Sequence, residues 1–172
     1  MSTREYPDGP LVRVDDDFEV EFPHASALAT ECFLNLARVA VSMLSALDRL
    51  LAGFGVPSYT SLNALTVLAG ADEPIPPSVV ATRMVATRPT VTGILDTLER
   101  LGLVTRQPHG SDGRMRLVSL TEAGRDLVAS VLPEVHRFEE ELFRDLHRNQ
   151  RRALLDSLAA IAARLEAGSV EA

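Results

Sequence analysis

The chain holds 172 residues, 46% of them hydrophobic, and carries a formal net charge of −7. That length and apolar content suit one domain or one and a half with a sizeable core, and they exclude a chain disordered throughout. A lone cysteine, Cys32, excludes an intramolecular disulfide and fits a reducing compartment, while the acidic total argues at first against a polyanionic partner.

Residues 1–24 contain three prolines and the run Asp15-Asp16-Asp17, with little apolar periodicity. Two readings stand: a solvated acidic tail, or an arm whose Leu11, Val12, Val14, Phe18, Val20 and Phe22 lie on another surface. The opening residues lack a basic start followed by an apolar run. No uninterrupted stretch reaches the roughly 18 apolar residues of a bilayer span, so a cytoplasmic protein with no membrane partner is expected.

From His24 to Phe54 apolar residues recur at three- and four-residue steps through Leu28, Cys32 or Phe33, Leu36, Ala40, Met43 or Leu44, Leu47, and Leu50 or Leu51. The spacing predicts a helix of about eight turns. No charge falls between Arg38 and Asp48, so this part is expected to be covered on more than one side, across a subunit boundary. Gly53, Gly55 and Pro57 close it, and Ser58 or Thr60 starts a second helix over Leu62 to Leu68. After the turn at Asp72-Glu73-Pro74, Pro76 and Pro77 introduce a short helix, Ser78 to Met84.

Thr87 can cap the next helix, with Pro89 tolerated in its first turn. Val91, Ile94, Leu95 and Leu98 fall on one side of it, leaving Arg88, Thr90, Gly93 and Asp96 elsewhere. Gly102 stops it. Leu103 to Arg106 reads as a strand, Pro108 to Gly113 as a loop, and Arg114 to Leu120 as the returning strand. A short helix, a second helix with a polar front and a two-stranded ribbon with a basic tip make a winged helix-turn-helix, a device for DNA. Thr121 then caps a helix that continues to about His147 with a kink at Pro133, and Asn149 caps a last helix carrying Leu154, Leu155, Leu158, Ile161 and Leu165. Arg148, Arg151 and Arg152 at its start either pair with Glu139-Glu140-Glu141 or are solvated.

The distribution of charge reverses the first impression. Residues 82–116 hold six arginines (Arg83, Arg88, Arg100, Arg106, Arg114 and Arg116) against three acids, and they are the one basic part of an acidic chain. Arg88, Thr90 and Thr92 are candidate contacts to base edges or phosphate at the front of the recognition helix. Arg114 is expected either to enter the minor groove or to brace the wing through Asp112, and Arg106 and Arg116 to meet phosphates. An enzyme is not expected. His136 and His147 would lie roughly 16 Å apart on one helix, too far for one metal, and the serines have no evident base. No cofactor or metal site is read.

The segment Thr90 to Val104 resembles the recognition helix and following strand of the MarR family of bacterial transcription regulators. Asp112-Gly113-Arg114, then Leu117-Val118-Ser119-Leu120-Thr121-Glu122-Ala123-Gly124, is similar to that family's Asp-x-Arg wing and Leu-Thr-x-x-Gly exit. The likeness runs from about residue 28 to residue 166. It implies a mainly α fold with a two- to three-stranded β-wing, and a homodimeric repressor on a pseudo-palindromic operator of double-stranded DNA. Residues 1–24 are then an acidic arm or tail, 25–56 a dimerisation helix, 57–120 the winged helix-turn-helix domain and 121–167 the C-terminal dimerisation helices. The resemblance also implies a small, aromatic or phenolic effector. Phe33, Met43, Phe54 and Tyr59 are candidates to line its pocket, and equally candidates for ordinary core. Family members often carry a basic or polar residue where this chain has Gly93, so base contacts are expected to be reduced or redistributed. Glu31-Cys32-Phe33-Leu34 is similar to the sensing segment of the family's organic-hydroperoxide branch, although Leu36 stands where that branch has a tyrosine. Cys32 is read either as a small buried apolar side chain or as the thiol of an oxidant-sensing repressor. From outside the class, the alternative is a winged-helix module that binds protein.

Overall fold

A computed structural model describes residues 11–108 and 116–168. The chain is mainly helical with a small antiparallel sheet, and it divides into two compact units, residues 1–59 and 60–172.

In the first unit the short helix α1 (Phe18–Glu21) leads to α2 (Ala27–Ala52). Ser26 caps α2 by accepting the Ala29 N–H at 3.3 Å, and Leu47 and Leu51 are its buried residues. Most of the apolar stripe read from sequence is open in the single chain: Leu28, Phe33, Leu34, Leu36, Val39, Val41 and Leu44 are exposed. An 18-residue window of α2 reaches a mean hydropathy of 1.4, so by length and composition it could cross a bilayer, contrary to the expectation that no stretch could. Polar side chains such as Asn35 and Ser42 interrupt the run, which hid it from a count of consecutive apolar residues. A stripe left open on an otherwise mixed helix equally suits cover by another protein surface.

The described segment before α1 is tied to α2 by polar bonds, while Leu11, Val20 and Phe22 of the sequence-read arm stay exposed. The Asn35 amide brackets the backbone of one residue, accepting the Val12 N–H at 2.7 Å and donating to the Val12 carbonyl at 2.8 Å, and the Val14 N–H donates to Glu31 at 3.0 Å.

The first unit ends at Tyr59, the first residue of α3 (Tyr59–Ala69), whose N–H donates to the Asp48 carboxylate at 2.7 Å; the second unit holds the rest of α3, then α4 (Pro77–Met84) and α5 (Arg88–Arg100). Strands β1 (Val104–Pro108) and β2 (Arg116–Leu120) pair antiparallel with Val104 opposite Leu120, and Ile75 adds a one-residue bridge to Val118 as the remnant of a third strand. Then come α6 (Glu122–Leu142) and α7 (Arg148–Glu166). One core holds the unit together, with Leu65, Val80, Val91, Leu95, Leu98 and Val118 fully buried. These are the inward residues of α3, α4, α5 and β2, so the α5 stripe does what its spacing predicts.

Two boundaries differ from the sequence reading. Helix α6 runs through Pro133 but stops at Leu142, because Arg151 reaches back from α7 and donates to the carbonyls of Phe143 and Leu146 at 2.7–3.1 Å. The same guanidinium forms two bonds with Glu140 at 2.9 and 3.1 Å; these hydrogen bonds, then the charge, hold the Glu140 carboxyl below its ordinary range. The cap of α7 is His147 rather than Asn149, with the His147 N–H donating to Gln150 at 2.9 Å.

Candidate nucleic-acid interface

Thr87 ends the turn before α5 and accepts the Thr90 N–H at 3.4 Å, while its hydroxyl lies 2.8 Å from that of Thr90. Thr92 donates its hydroxyl to the Arg88 carbonyl at 3.0 Å. With these hydroxyls engaged inside the helix, what Thr90 and Thr92 retain for an outside partner is chiefly a methyl group each. Arg88 is exposed at the helix start, where free N–H groups and the helix dipole favour an anion. Val91, Leu95 and Leu98 on the opposite side are fully buried, which fixes the rotation of the helix and so selects which residues face outward.

Arg83 of α4 and Arg116 of β2 are exposed as Arg88 is, and among the described residues none of the three has a side-chain partner. Arg83 is part of the basic stretch that the sequence shows, and its exposed place on α4 makes it a further candidate contact. Arg106 stands differently. Its Nη1 lies 2.6 Å from Asp96 and 3.1 Å from Glu99, both on α5, and its side chain is only 22% exposed. It ties the first wing strand to the recognition helix, with its charge already balanced. The brace that the sequence reading placed on Asp112 and Arg114 lies outside the described residues, as do those two side chains themselves.

Gly93 sits in the middle of α5, exposed, and a Cβ built there would meet nothing within 4 Å. Neither packing nor backbone conformation requires glycine at this position. Gly93→Ala is therefore expected to stabilise the fold by about 1 kcal/mol through helix propensity alone. Gly93→Arg should steepen the salt dependence of DNA binding by about one phosphate contact, checked by titrating a duplex at several salt concentrations. An unchanged slope would mean that this part of α5 does not reach the backbone of the duplex.

The four candidate pocket residues lie along α2, the turn that follows it and the start of α3. Phe33 and Tyr59 are exposed, Met43 and Phe54 half-buried, and none lines a described cavity. The larger cavity, about 450 Å³, lies between the end of α3, the turn after it, β2 and α6, with Leu68, Asp72, Glu73, Ser119, Arg125 and Val128 in its wall. A smaller one, about 160 Å³, lies under the arm against α2. Cys32 lines it and is exposed, which corrects the reading of a small buried side chain.

The sequence pattern that defines the MarR family matches residues 57–115. The chain is 36% identical to an uncharacterised HTH-type transcriptional regulator, YdgJ, of Bacillus subtilis, over 59% of this chain and 62% of that protein. It spans less than two thirds of the length of the curated relatives that head the comparison. Among solved structures, CouR from Rhodococcus jostii RHA1 bound to p-coumaroyl-CoA is 26% identical, with a TM-score of 0.66 over 80% of this chain and 96% of that one. The transcriptional repressor CouR bound to a 23-mer DNA duplex is 27% identical, with a TM-score of 0.68 over 87% of this chain and 99% of that one.

Proposed function

Because this chain belongs to the MarR family of winged-helix regulators, we propose that it is a homodimeric repressor that reads a pseudo-palindromic operator and releases it on binding a small molecule. The observation that carries this reading is the set Arg83, Arg88 and Arg116, exposed and without side-chain partners among the described residues, within the only basic stretch of an acidic chain. The N-terminal end of α5 enters the major groove, with Arg88 offered to a guanine or a phosphate and the methyls of Thr90 and Thr92 toward thymine. Arg116 and Arg83 neutralise phosphates, and Arg114 of the wing approaches the minor groove. Arg106 keeps its ion pairs and acts as a positioning residue, holding the wing at a fixed angle to α5.

Support for the homodimer comes from the apolar side chains that each unit leaves open. In the first, α2 exposes Leu28, Phe33 and Val41; in the second, α7 has no buried residue at all and exposes Leu154, Leu155, Leu158, Ile161 and Leu165. Such faces call for a second copy to cover them. An aromatic or phenolic effector, free or as its thioester, is in keeping with the p-coumaroyl-CoA carried by CouR. The exposure of Cys32 favours one second reading, in which oxidation of this thiol, rather than a ligand, releases DNA.

The test is to pass sheared genomic DNA over the purified protein at low salt and sequence what it retains, with sedimentation of the free protein alongside. A recurrent sequence with twofold character, bound by a dimer, is expected. A monomer that retains no fragment would leave the winged-helix protein-interaction module as the better reading.

A further inference from the structure

Val85, the first of the two residues between α4 and the Thr87 cap of α5, has φ +52° and ψ +45°, and its side chain is 94% exposed. It is the only non-glycine residue at positive φ among those described. The backbone there makes a standard helix ending, with the Val85 N–H donating to the Thr82 carbonyl at 3.2 Å and the Ala86 N–H to the Ala81 carbonyl at 3.0 Å. This ending needs one residue in the left-handed region, where a β-branched side chain is a genuine outlier and glycine is not.

The chain supplies its own control. Helices α2 and α5 close with the same pair of bonds, Gly55 to Ala52 with Val56 to Leu51, and Gly102 to Glu99 with Leu103 to Leu98. Both place glycine at the left-handed position, with φ +75° and +72°. At Val85 no burial compensates the strain, because almost the whole side chain lies in solvent. Gly93 on α5 shows the converse, a glycine where the helix would favour alanine. Local stability thus explains neither residue, and both are exposed along the turn and helix that carry Arg88. Strain retained at an exposed position is a reason to look for function there.

We propose that Val85 is a specificity-determining residue of the interface, its isopropyl group packing on a thymine C5-methyl in the major groove. This rests on the DNA-binding reading above, in which the front of α5 enters that groove. The C5-methyl of thymine is the apolar group that the major-groove edge of a base pair presents, and it is what an uncharged, unbonded side chain can recognise there.

The test uses the full-length protein and a duplex that the wild type retains. Val85→Gly should raise Tm by about 2–4 °C as the strain is relieved, yet weaken binding to that duplex about fivefold to tenfold with an unchanged salt slope, since no charge is lost. Val85→Ile should bind as the wild type does. Replacing thymines by uracil one at a time should weaken the wild type at one position in each half-site, and at that position Val85→Gly should lose nothing further. If Val85→Gly binds as tightly as the wild type, or loses affinity equally on every uracil-substituted duplex, the proposal is overturned. If the wild type itself retains no DNA, it is the underlying reading that has failed.

Discussion

Gly124→Ala is expected to destabilise the second unit by about 3 kcal/mol, at the upper end of what overpacking costs, and to lower Tm by roughly 10 °C. A Cβ at Gly124 would run into the Leu103 carbonyl oxygen, with the carbonyl carbon at 3.0 Å and the Leu120 Cδ2 at 3.3 Å. The nearest obstacle is backbone, and it cannot swing aside. That carbonyl also accepts the Thr121 N–H at 3.0 Å, and the Thr121 hydroxyl donates to the Gly102 carbonyl at 2.7 Å. Any retreat of Leu103 therefore loosens the end of α5, the start of β1 and the cap of α6 together. Helix propensity favours alanine by about 1 kcal/mol, too little to offset this clash. Thermal unfolding followed by far-UV circular dichroism checks it; a Tm equal to that of the wild type would show that α6 and β1 are not packed so closely.

The second large effect is on binding and not on folding. Arg88→Ala should leave Tm within about a degree, because the side chain is exposed and has no partner among the described residues. Affinity for the retained duplex should fall about tenfold to a hundredfold, the range expected when a bidentate arginine contact to a guanine is removed. Truncating Arg106 makes a useful contrast, since its half-buried charge already faces Asp96 and Glu99: its loss should lower stability by about 1 kcal/mol and leave the salt slope of binding unchanged. Fluorescence anisotropy with a labelled duplex separates the two. An Arg88→Ala protein that binds undiminished would remove Arg88 from the interface.

Much of this was legible before the structure because it rests on periodicity and on local capping. Val91, Leu95 and Leu98 recur at helical spacing, and a buried stripe fixes the rotation of the helix that carries it. Thr87 and Thr121 are caps by residue type, and both accept the N–H expected of them. What was not legible depends on contacts between distant residues or on backbone angles that composition does not mark. Nothing in Met84-Val85-Ala86 announces a left-handed residue, since no glycine, proline or asparagine stands there. The end of α6 was overestimated because Leu146 prolongs the apolar stripe, while the guanidinium that terminates the helix comes from Arg151 on the next one. Arg106 reads from sequence as a phosphate contact because the acids that pair with it precede it in the chain, on a different element.

Aromatic or flexible apolar character, which marks the candidate pocket residues in the sequence, does not separate a cavity wall from an exposed apolar face. Phe33 is 71% exposed in the single chain. Of the two readings of Cys32, the buried one follows the habit of its residue type, whereas its position on α2 leaves it exposed beside the arm.

The central claim is that a small basic surface of an acidic protein meets the phosphates of a duplex. Measuring the affinity of the full-length protein for its retained fragment between low and physiological salt tests this most directly. The account predicts that log K falls linearly with log salt, by about 0.9 for each phosphate neutralised, and that the slope becomes shallower when Arg83 or Arg116 is replaced by alanine. Binding indifferent to salt, or a slope that neither substitution changes, would contradict it.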